Sequence, residues 1–161
     1  MKRIVDIKQV ITPIDFSENA QLIAESAAYV AGTFKAALNL IFVVQDFADY
    51  SGFFVPQMNA PDLVQELFTS AEERMDTFIQ ENERAFKAMG VTALHSKILM
   101  GDVAEKIIEY AVQAQGNLIV MGTHGYKGLE KVMFGSIADK VVKAAPCPIM
   151  TVNPYTCCAT S

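Results

Sequence analysis

Short apolar runs alternate along this chain with longer segments in which apolar residues recur every three or four positions. The runs predict strands, and they cover residues 9–13, 38–44, 92–99, 118–121 and 149–152. The periodic segments predict helices, at residues 17–34, 62–89, 102–115 and 137–145. A strand followed each time by a helix, with a final strand, predicts an α/β domain with a parallel sheet and right-handed crossovers.

Capping residues mark where these helices begin and end. Ser17 is a candidate N-cap of the first helix, and Asp102 with Glu105 three residues later resembles a capping box. Gly90 and Gly116 are the predicted stops of the second and third helices.

The segment between the second predicted strand and the second predicted helix follows neither period. Residues 46–61 combine prolines and a glycine with Tyr50, Phe53 and Phe54, so we predict a long loop. Its aromatic side chains either cover a ligand or a partner, or pack within the loop itself, and the sequence leaves both possibilities open.

Composition and charge narrow the class of protein. The 161 residues are 52% hydrophobic, enough for the core of one domain, which we place at residues 1–153 with a flexible tail at 154–161. The formal net charge is −5 and the 13 basic residues are scattered, which argues against a nucleic-acid-binding surface. Cys157 and Cys158 in the tail have no zinc-ligand spacing. Without a secretory or membrane-spanning apolar run, we expect a soluble cytoplasmic protein.

A glycine pattern stands between the fourth predicted strand and the last predicted helix. Gly122 is followed after two residues by Gly125, and after nine more by Gly135 and Ser136. Glycine lets backbone amides approach an anion closely, often at positive φ, where a Cβ atom would clash. The unpaired N–H groups and the dipole of the helix that begins at Ser136 also favour negative charge. The pattern therefore predicts a phosphate-binding loop.

Two other strand ends converge on this loop. In an open α/β sheet, ligands bind beyond the carboxyl ends of the strands, near the point where strand order reverses. The segment Pro13-Ile-Asp15 follows the first predicted strand, and Val44 ends the second. Asp15 could hold a ribose or a base edge while the glycine amides and Ser136 hold phosphates.

Three polar side chains near this site have weaker claims to chemistry. His124 lies inside the glycine pattern, but no nucleophile or metal partner is evident for it, so we interpret it as a loop spacer. Asp46 and Asp49 are interpreted as a solvated acidic loop and not as magnesium ligands. The chain has neither a Gly-x-x-x-x-Gly-Lys-Ser/Thr loop nor a kinase catalytic loop, so nucleotide binding is better supported than turnover.

These segments together resemble the nucleotide-binding branch of the universal stress protein family over residues 8–153. The glycine pattern of that branch is matched without a gap. The resemblance implies a three-layer α/β/α sandwich, open and doubly wound, with a five-stranded parallel sheet of the Rossmann-like, adenine nucleotide α hydrolase-like type. It also implies ATP as the ligand, with magnesium or manganese held through the phosphates, and a homodimer formed through the C-terminal strand.

Carried over residue by residue, the resemblance divides the site into two halves. The nucleoside half comprises Pro13, Asp15, Val44 with its backbone on adenine, and Met121 and Gly122 beside the ribose. The phosphate half comprises Gly125, Gly135, Ser136 and Ile137.

The sequence supports three functional hypotheses. The first is an ATP-binding stress-response or signalling module whose nucleotide state acts on protein partners that the sequence does not identify. The second is a slow ATPase or an autophosphorylating enzyme with Ser136 as acceptor. The third is an interaction protein that works without nucleotide, through its aromatic loop and oligomeric surface.

Overall fold

Five parallel strands form the sheet at the centre of the protein. The computed structural model describes residues 6–45, 60–124 and 135–155. The strands, in chain order, are β1 (Gln9–Pro13), β2 (Ala37–Gln45), β3 (Leu94–Gly101), β4 (Leu118–Gly122) and β5 (Ile149–Val152). The helices are α1 (Ala20–Thr33), α2 (Ala60–Ala88), α3 (Val103–Gln113) and α4 (Ser136–Ala144).

The order of strands across the sheet is β3-β2-β1-β4-β5, and every neighbouring pair is parallel. The chain therefore moves outward from β1 to β2 and β3, and then crosses to the other side of β1 to form β4 and β5. The reversal lies between β1 and β4, which is where an open α/β sheet binds its ligands. β5 forms one edge of the sheet.

Apolar side chains cover both faces of the sheet and give the sandwich its two cores. Ile23 and Ala27 of α1 pack with Met75 and Phe86 of α2 on one face. The opposite core is formed mainly by α3 and α4 with the other face of the strands, and it includes Ile107, Ala111, Ala138 and Val141. The predicted open, doubly wound α/β/α fold is confirmed. Within the described parts of the chain, each helix is too short or too polar to cross a membrane.

Two predicted helix starts were wrong. α1 begins at Ala20 with Asn19 in the capping position, whereas Ser17 caps only the preceding turn, where its Oγ accepts a hydrogen bond from the Asn19 N–H at 3.3 Å. α2 begins at Ala60, so the last two residues of the predicted loop belong to its first turn. Proline is tolerated there because the N–H it lacks has no helical partner. Residues 46–59, with the aromatic side chains of the loop, lie outside the described residues.

Three helix ends follow the predicted chemistry in part. The Asp102 side chain accepts a hydrogen bond from the Glu105 N–H at 3.0 Å, as a capping box requires. Gly90 ends α2 with a φ of 104°, which glycine adopts without strain. After α3, however, Gln115 takes the left-handed position with a φ of 53°, and Gly116 follows it. The predicted stop at Gly116 is therefore one residue late.

Candidate functional site

A crevice opens where β1 and β4 separate at their carboxyl ends. Their paired residues end at Ile11 and Ile119, although β4 continues to Gly122. Backbone groups alternate between the two sides of a strand. The Ile14 N–H donates to β2, whereas the Gln9 carbonyl accepts from Asn117, just before β4. Pro13 is one residue before Ile14 and four after Gln9, so its backbone groups point towards β4. Proline has no N–H with which to extend the ladder, so this residue helps to end the pairing at the point of strand reversal.

β2 extends beyond β1 and leaves a free backbone edge beside the crevice. Pro13 pairs with Ile41, and β2 continues to Gln45 with pairing to β3 alone among the described residues. The N–H of Ala37 donates towards β1 and that of Leu38 towards the β3 side. The odd-numbered residues of β2 therefore direct their backbone groups towards β1. Beyond the end of the β1 pairing, the groups on this side belong to Val43 and Gln45.

The backbone of Val44, which was predicted to contact adenine, lies on the other side of β2 from this free edge. The backbone groups of Val44 face β3, and its side chain is buried in the core beneath α1 and α2. The sequence predicted a contact at this strand end. It could not fix the direction of each backbone group, because Val43 and Val44 are both apolar.

Asp15 lies in the turn that follows β1. Its Oδ1 accepts a hydrogen bond from the Ser17 N–H at 2.9 Å, and the side chain is partly buried. Within the described residues the other carboxylate oxygen, Oδ2, has no hydrogen-bond partner. The turn thus holds the carboxylate at the carboxyl end of the sheet with one oxygen available for a ligand.

Gly122 and Gly135 are required by close approach and not by positive φ. A Cβ atom on Gly122 would lie 2.6 Å from Ile23 Cδ1 of α1, and one on Gly135 would lie 2.9 Å from the Thr123 carbonyl oxygen. The φ of Gly135 is −60°, which any residue adopts. The positive-φ part of the sequence argument is therefore wrong at these two glycines, and the close neighbours seen here are atoms of the protein, whereas the predicted approach to an anion stays a prediction.

The amino end of α4 faces this same junction. Gly135 donates its N–H to the Thr123 carbonyl at 2.8 Å, and it offers no side chain to cap the helix. Ser136 and Ile137 follow in the first turn, where the N–H groups have no helical acceptor. Both side chains are exposed, so these N–H groups lie at an accessible helix start that favours an anion.

Two predicted site residues contribute less to the described geometry. Met121 is buried in the core beneath α3 and α4. Its backbone faces β5, since Ile119 and Thr123 on either side donate to Pro148 and Val152. Gly125 lies outside the described residues, as do Asp46 and Asp49.

His124 is packed into the start of the glycine pattern. Its Nδ1 lies 2.7 Å from Thr123 Oγ1, and its ring meets that of Tyr155 edge to face at a centroid distance of 5.3 Å. The buried Nε2 has no hydrogen-bond partner in the described chain. These contacts support the interpretation of His124 as a packing residue of the loop. Tyr155, which the sequence analysis assigned to a flexible tail from 154, thus packs against His124.

A separate surface groove of about 480 Å³ lies between the start of α1 and the middle of α2. Phe16, Arg74 and Phe78 form part of its wall, and Glu73 and Glu81 add negative charge. None of the glycines of the phosphate half borders it. We therefore place the candidate site at the strand ends and not in this groove.

Comparison with known proteins identifies the family. The sequence profile described as the Universal stress protein family matches residues 6–153. The chain belongs to the universal stress protein family. The predicted resemblance is thereby confirmed. The universal stress protein MJ0531 of Methanocaldococcus jannaschii is 32% identical over 146 residues, which cover 91% of this chain and 82% of that protein.

Solved structures of universal stress proteins share the fold. The UspA protein of Lactobacillus plantarum aligns with a TM-score of 0.78 at 24% identity, over 92% of this chain and 99% of that one. A universal stress protein in complex with cAMP aligns with a TM-score of 0.62 at 16% identity, over 92% and 98% of the two chains. One from Archaeoglobus fulgidus in complex with dAMP aligns with a TM-score of 0.61 at 15% identity, over 91% and 98%.

Proposed function

We propose that this protein is a cytoplasmic ATP-binding module of stress response or signalling, with its nucleotide site in the crevice between β1, β2 and β4. One observation carries the proposal. The start of α4 has no side-chain cap, and its dipole favours an anion. It lies at the carboxyl end of the sheet, as does Asp15, whose Oδ2 has no hydrogen-bond partner among the described residues. A nucleotide can satisfy both, because it combines phosphates with a nucleoside that carries hydrogen-bond donors.

The nucleoside half is assigned to the ends of β1 and β2. Asp15 would accept a hydrogen bond from a ribose hydroxyl or from the base, beside Pro13. The free backbone groups of Val43, next to the originally predicted Val44, would meet the edge of adenine. The complexes of two family members with cAMP and dAMP support an adenine nucleotide as the class of ligand.

The phosphate half is assigned to the junction of β4 and α4. Gly122 has no Cβ atom at the end of β4, and Ser136 and Ile137 present the first N–H groups of the helix. Gly135, whose own N–H donates to Thr123, lets the helix start lie close to the end of β4. Gly125 completes the predicted pattern. A magnesium or manganese ion would be held mainly by the phosphates, as the family resemblance implies.

Calorimetric titration with ATP tests the proposal. We expect saturable binding to one site per chain, and weaker binding of GTP than of ATP. The informative variant is Ser136→Asp, because an acidic side chain at a helix start stabilises the helix through its dipole but repels bound phosphates. Its melting temperature should be maintained or raised while its ATP affinity falls more than about tenfold, equivalent to 1.4 kcal/mol.

Ser136→Ala is the matched control, since it removes the hydroxyl without adding charge and should retain most of the affinity. Asp15→Ala should weaken ATP binding, whereas Asp76→Ala, at an exposed position of α2, should not. Absence of saturable binding by the unaltered protein, or equal affinities for Ser136→Asp and Ser136→Ala, would reject the site. Mass spectrometry of nucleotide released from freshly purified protein would then distinguish ATP from AMP or cAMP.

A second candidate function is autophosphorylation or slow ATP hydrolysis. It is favoured by the exposure of the Ser136 side chain at the helix start where phosphates would lie. Incubation with γ-labelled ATP tests it. Label that remains on the protein and disappears in Ser136→Ala would establish transfer to this hydroxyl, and release of phosphate above the level of Ser136→Asp would establish hydrolysis. If neither label on the protein nor released phosphate is found, binding remains the proposed function.

We also propose that two copies of the chain associate through β5. This strand forms an edge of the sheet, and its Met150 and Thr151 are exposed, so its unpaired backbone groups can continue the sheet into a second copy. Sedimentation should show a dimer at micromolar concentration. Thr151→Pro, which inserts a residue without an N–H, should shift the protein towards monomer, and a monomeric unaltered protein would contradict the proposal.

A further inference from the structure

Phe16 has a backbone conformation that a bulky side chain seldom adopts. Its φ is 56°, in the left-handed region, and it directly follows Asp15. A non-glycine residue in this region is strained, and the strain persists only where surrounding contacts hold the residue in place. The contacts that hold Phe16 in this conformation therefore also hold the turn that carries the Asp15 carboxylate.

Three side chains from β2 and α2 hold the Phe16 ring. Its centroid lies 4.9 Å from that of Phe42 and 6.5 Å from that of Phe78. The guanidinium carbon of Arg74 lies 4.8 Å from the ring centroid, within the range of a cation–π interaction. Arg74 Nη2 also donates to the Phe16 carbonyl oxygen over 3.5 Å, across 58 positions of sequence. We refer to Phe16, Phe42, Arg74 and Phe78 as the Phe16 clasp.

The Phe16 clasp controls the direction of the Asp15 carboxylate. The hydrogen bond from the Ser17 N–H to Asp15 Oδ1 spans Phe16. Because Phe16 stands between donor and acceptor, its φ sets where the Ser17 N–H points and hence how the carboxylate is held. If Phe16 relaxed to an ordinary conformation, this bond would be lost and the carboxylate would rotate freely.

We propose that Arg74 and Phe78 of α2 are positioning residues for nucleotide binding, which act by holding Phe16 and through it the carboxylate of Asp15. The inference rests on the nucleotide site proposed above. Arg74 lies outside the crevice, on the wall of the neighbouring groove, and should nevertheless affect the affinity of the nucleoside half for its ligand. Holding a binding group in its bound orientation raises affinity because less freedom is lost when the ligand arrives.

The first test compares two arginines of the same helix. Arg74→Gln removes the cation from the Phe16 ring and should weaken ATP binding by about fivefold, a loss typical of a displaced contact. Arg84→Gln removes the same charge from another exposed position of α2 and should leave the affinity unchanged. Arg74→Lys keeps a cation near the ring and should recover most of the affinity. Melting temperatures of all three variants confirm that each is folded.

A double-mutant cycle with Asp15→Ala separates positioning from general effects. If Arg74 acts through Asp15, then adding Arg74→Gln to Asp15→Ala should weaken ATP binding no further. A loss of charge attraction, or a general loosening of the fold, would instead multiply the two separate effects. Equal affinities of Arg74→Gln and Arg84→Gln, or multiplied effects in the cycle, would overturn this inference alone. Absence of ATP binding by the unaltered protein would overturn the proposed function and this inference with it.

Discussion

Gly135→Ala tests the packing at the start of α4. The added Cβ would lie 2.9 Å from the Thr123 carbonyl oxygen, whereas ordinary contacts begin at 3.4 Å. The helix start must therefore withdraw from the end of β4 by about 0.5 Å. This movement stretches the Gly135 to Thr123 hydrogen bond, now 2.8 Å, beyond the usual range, which ends near 3.2 Å.

The expected effects follow from this displacement. Loss of one neutral hydrogen bond costs about 1 kcal/mol of the free energy of unfolding. The N–H groups of Ser136 and Ile137 move with the helix, so we expect about a fivefold loss of ATP affinity, equivalent to about 1 kcal/mol. Adenosine, which has no phosphates, should bind with unchanged affinity.

Calorimetry with ATP and with adenosine, together with urea unfolding, measures these quantities. Gly116→Ala is the matched control, because its Cβ would meet Ile11 Cγ1 at 2.8 Å just before β4, at the opposite end of that strand. It should lower the free energy of unfolding without changing ATP affinity. The reasoning is refuted if Gly135→Ala binds ATP as the unaltered protein does, or if adenosine binding weakens by the same factor.

Three further predictions concern stability. In Gly32→Ala the new Cβ would overlap the backbone carbonyl of Met89, so urea unfolding should show a loss of about 2 kcal/mol or more, and a wild-type midpoint would contradict that contact. Asp102→Ala removes the N-cap of α3 and should cost about 1 kcal/mol in the same assay, whereas Glu105→Gln should cost little, and equal losses would argue against the cap. Burial raises the pKa of the Cys147 thiol, although a backbone hydrogen bond opposes this. As the pH rises, the thiol therefore ionises first in the unfolded chain, so the free energy of unfolding should fall above about pH 8.5. The fall should be smaller in Cys147→Ala. Urea midpoints at several pH values measure the difference, and equal falls would contradict the prediction.

The architecture could be predicted from the sequence because its signals are local. Charge-free runs such as that in β2 and the apolar stripe of α1 recur in strict alternation, and crossover rules then leave few topologies. The ends of the elements were predicted less well, because they depend on contacts between strands that the local sequence does not encode. β3 was expected at 92–99 but runs from Leu94 to Gly101, because its pairing with β2 and not its own composition decides where it begins.

The candidate site was harder to predict because it depends on neighbours distant in sequence. The glycine spacing predicted a phosphate half, which stays a prediction, and the alternation of strands with helices located the strand ends. The choice between Val43 and Val44 depends on which side β1 occupies. Neither the left-handed φ of Phe16 nor its contact with Arg74 has a local signal, since the strain is stabilised by α2.

Thr123 joins the last strand of the sheet to the start of α4. Its N–H donates to the Val152 carbonyl at 2.9 Å, and its own carbonyl accepts from Gly135. β5 is the last strand of the domain to be synthesised, and Tyr155, which packs on His124, emerges later still. A nascent chain can therefore form the Asp15 turn and four strands while the phosphate half still lacks its support. If the proposed site binds a nucleotide, its affinity would thus be acquired only after β5 has been synthesised.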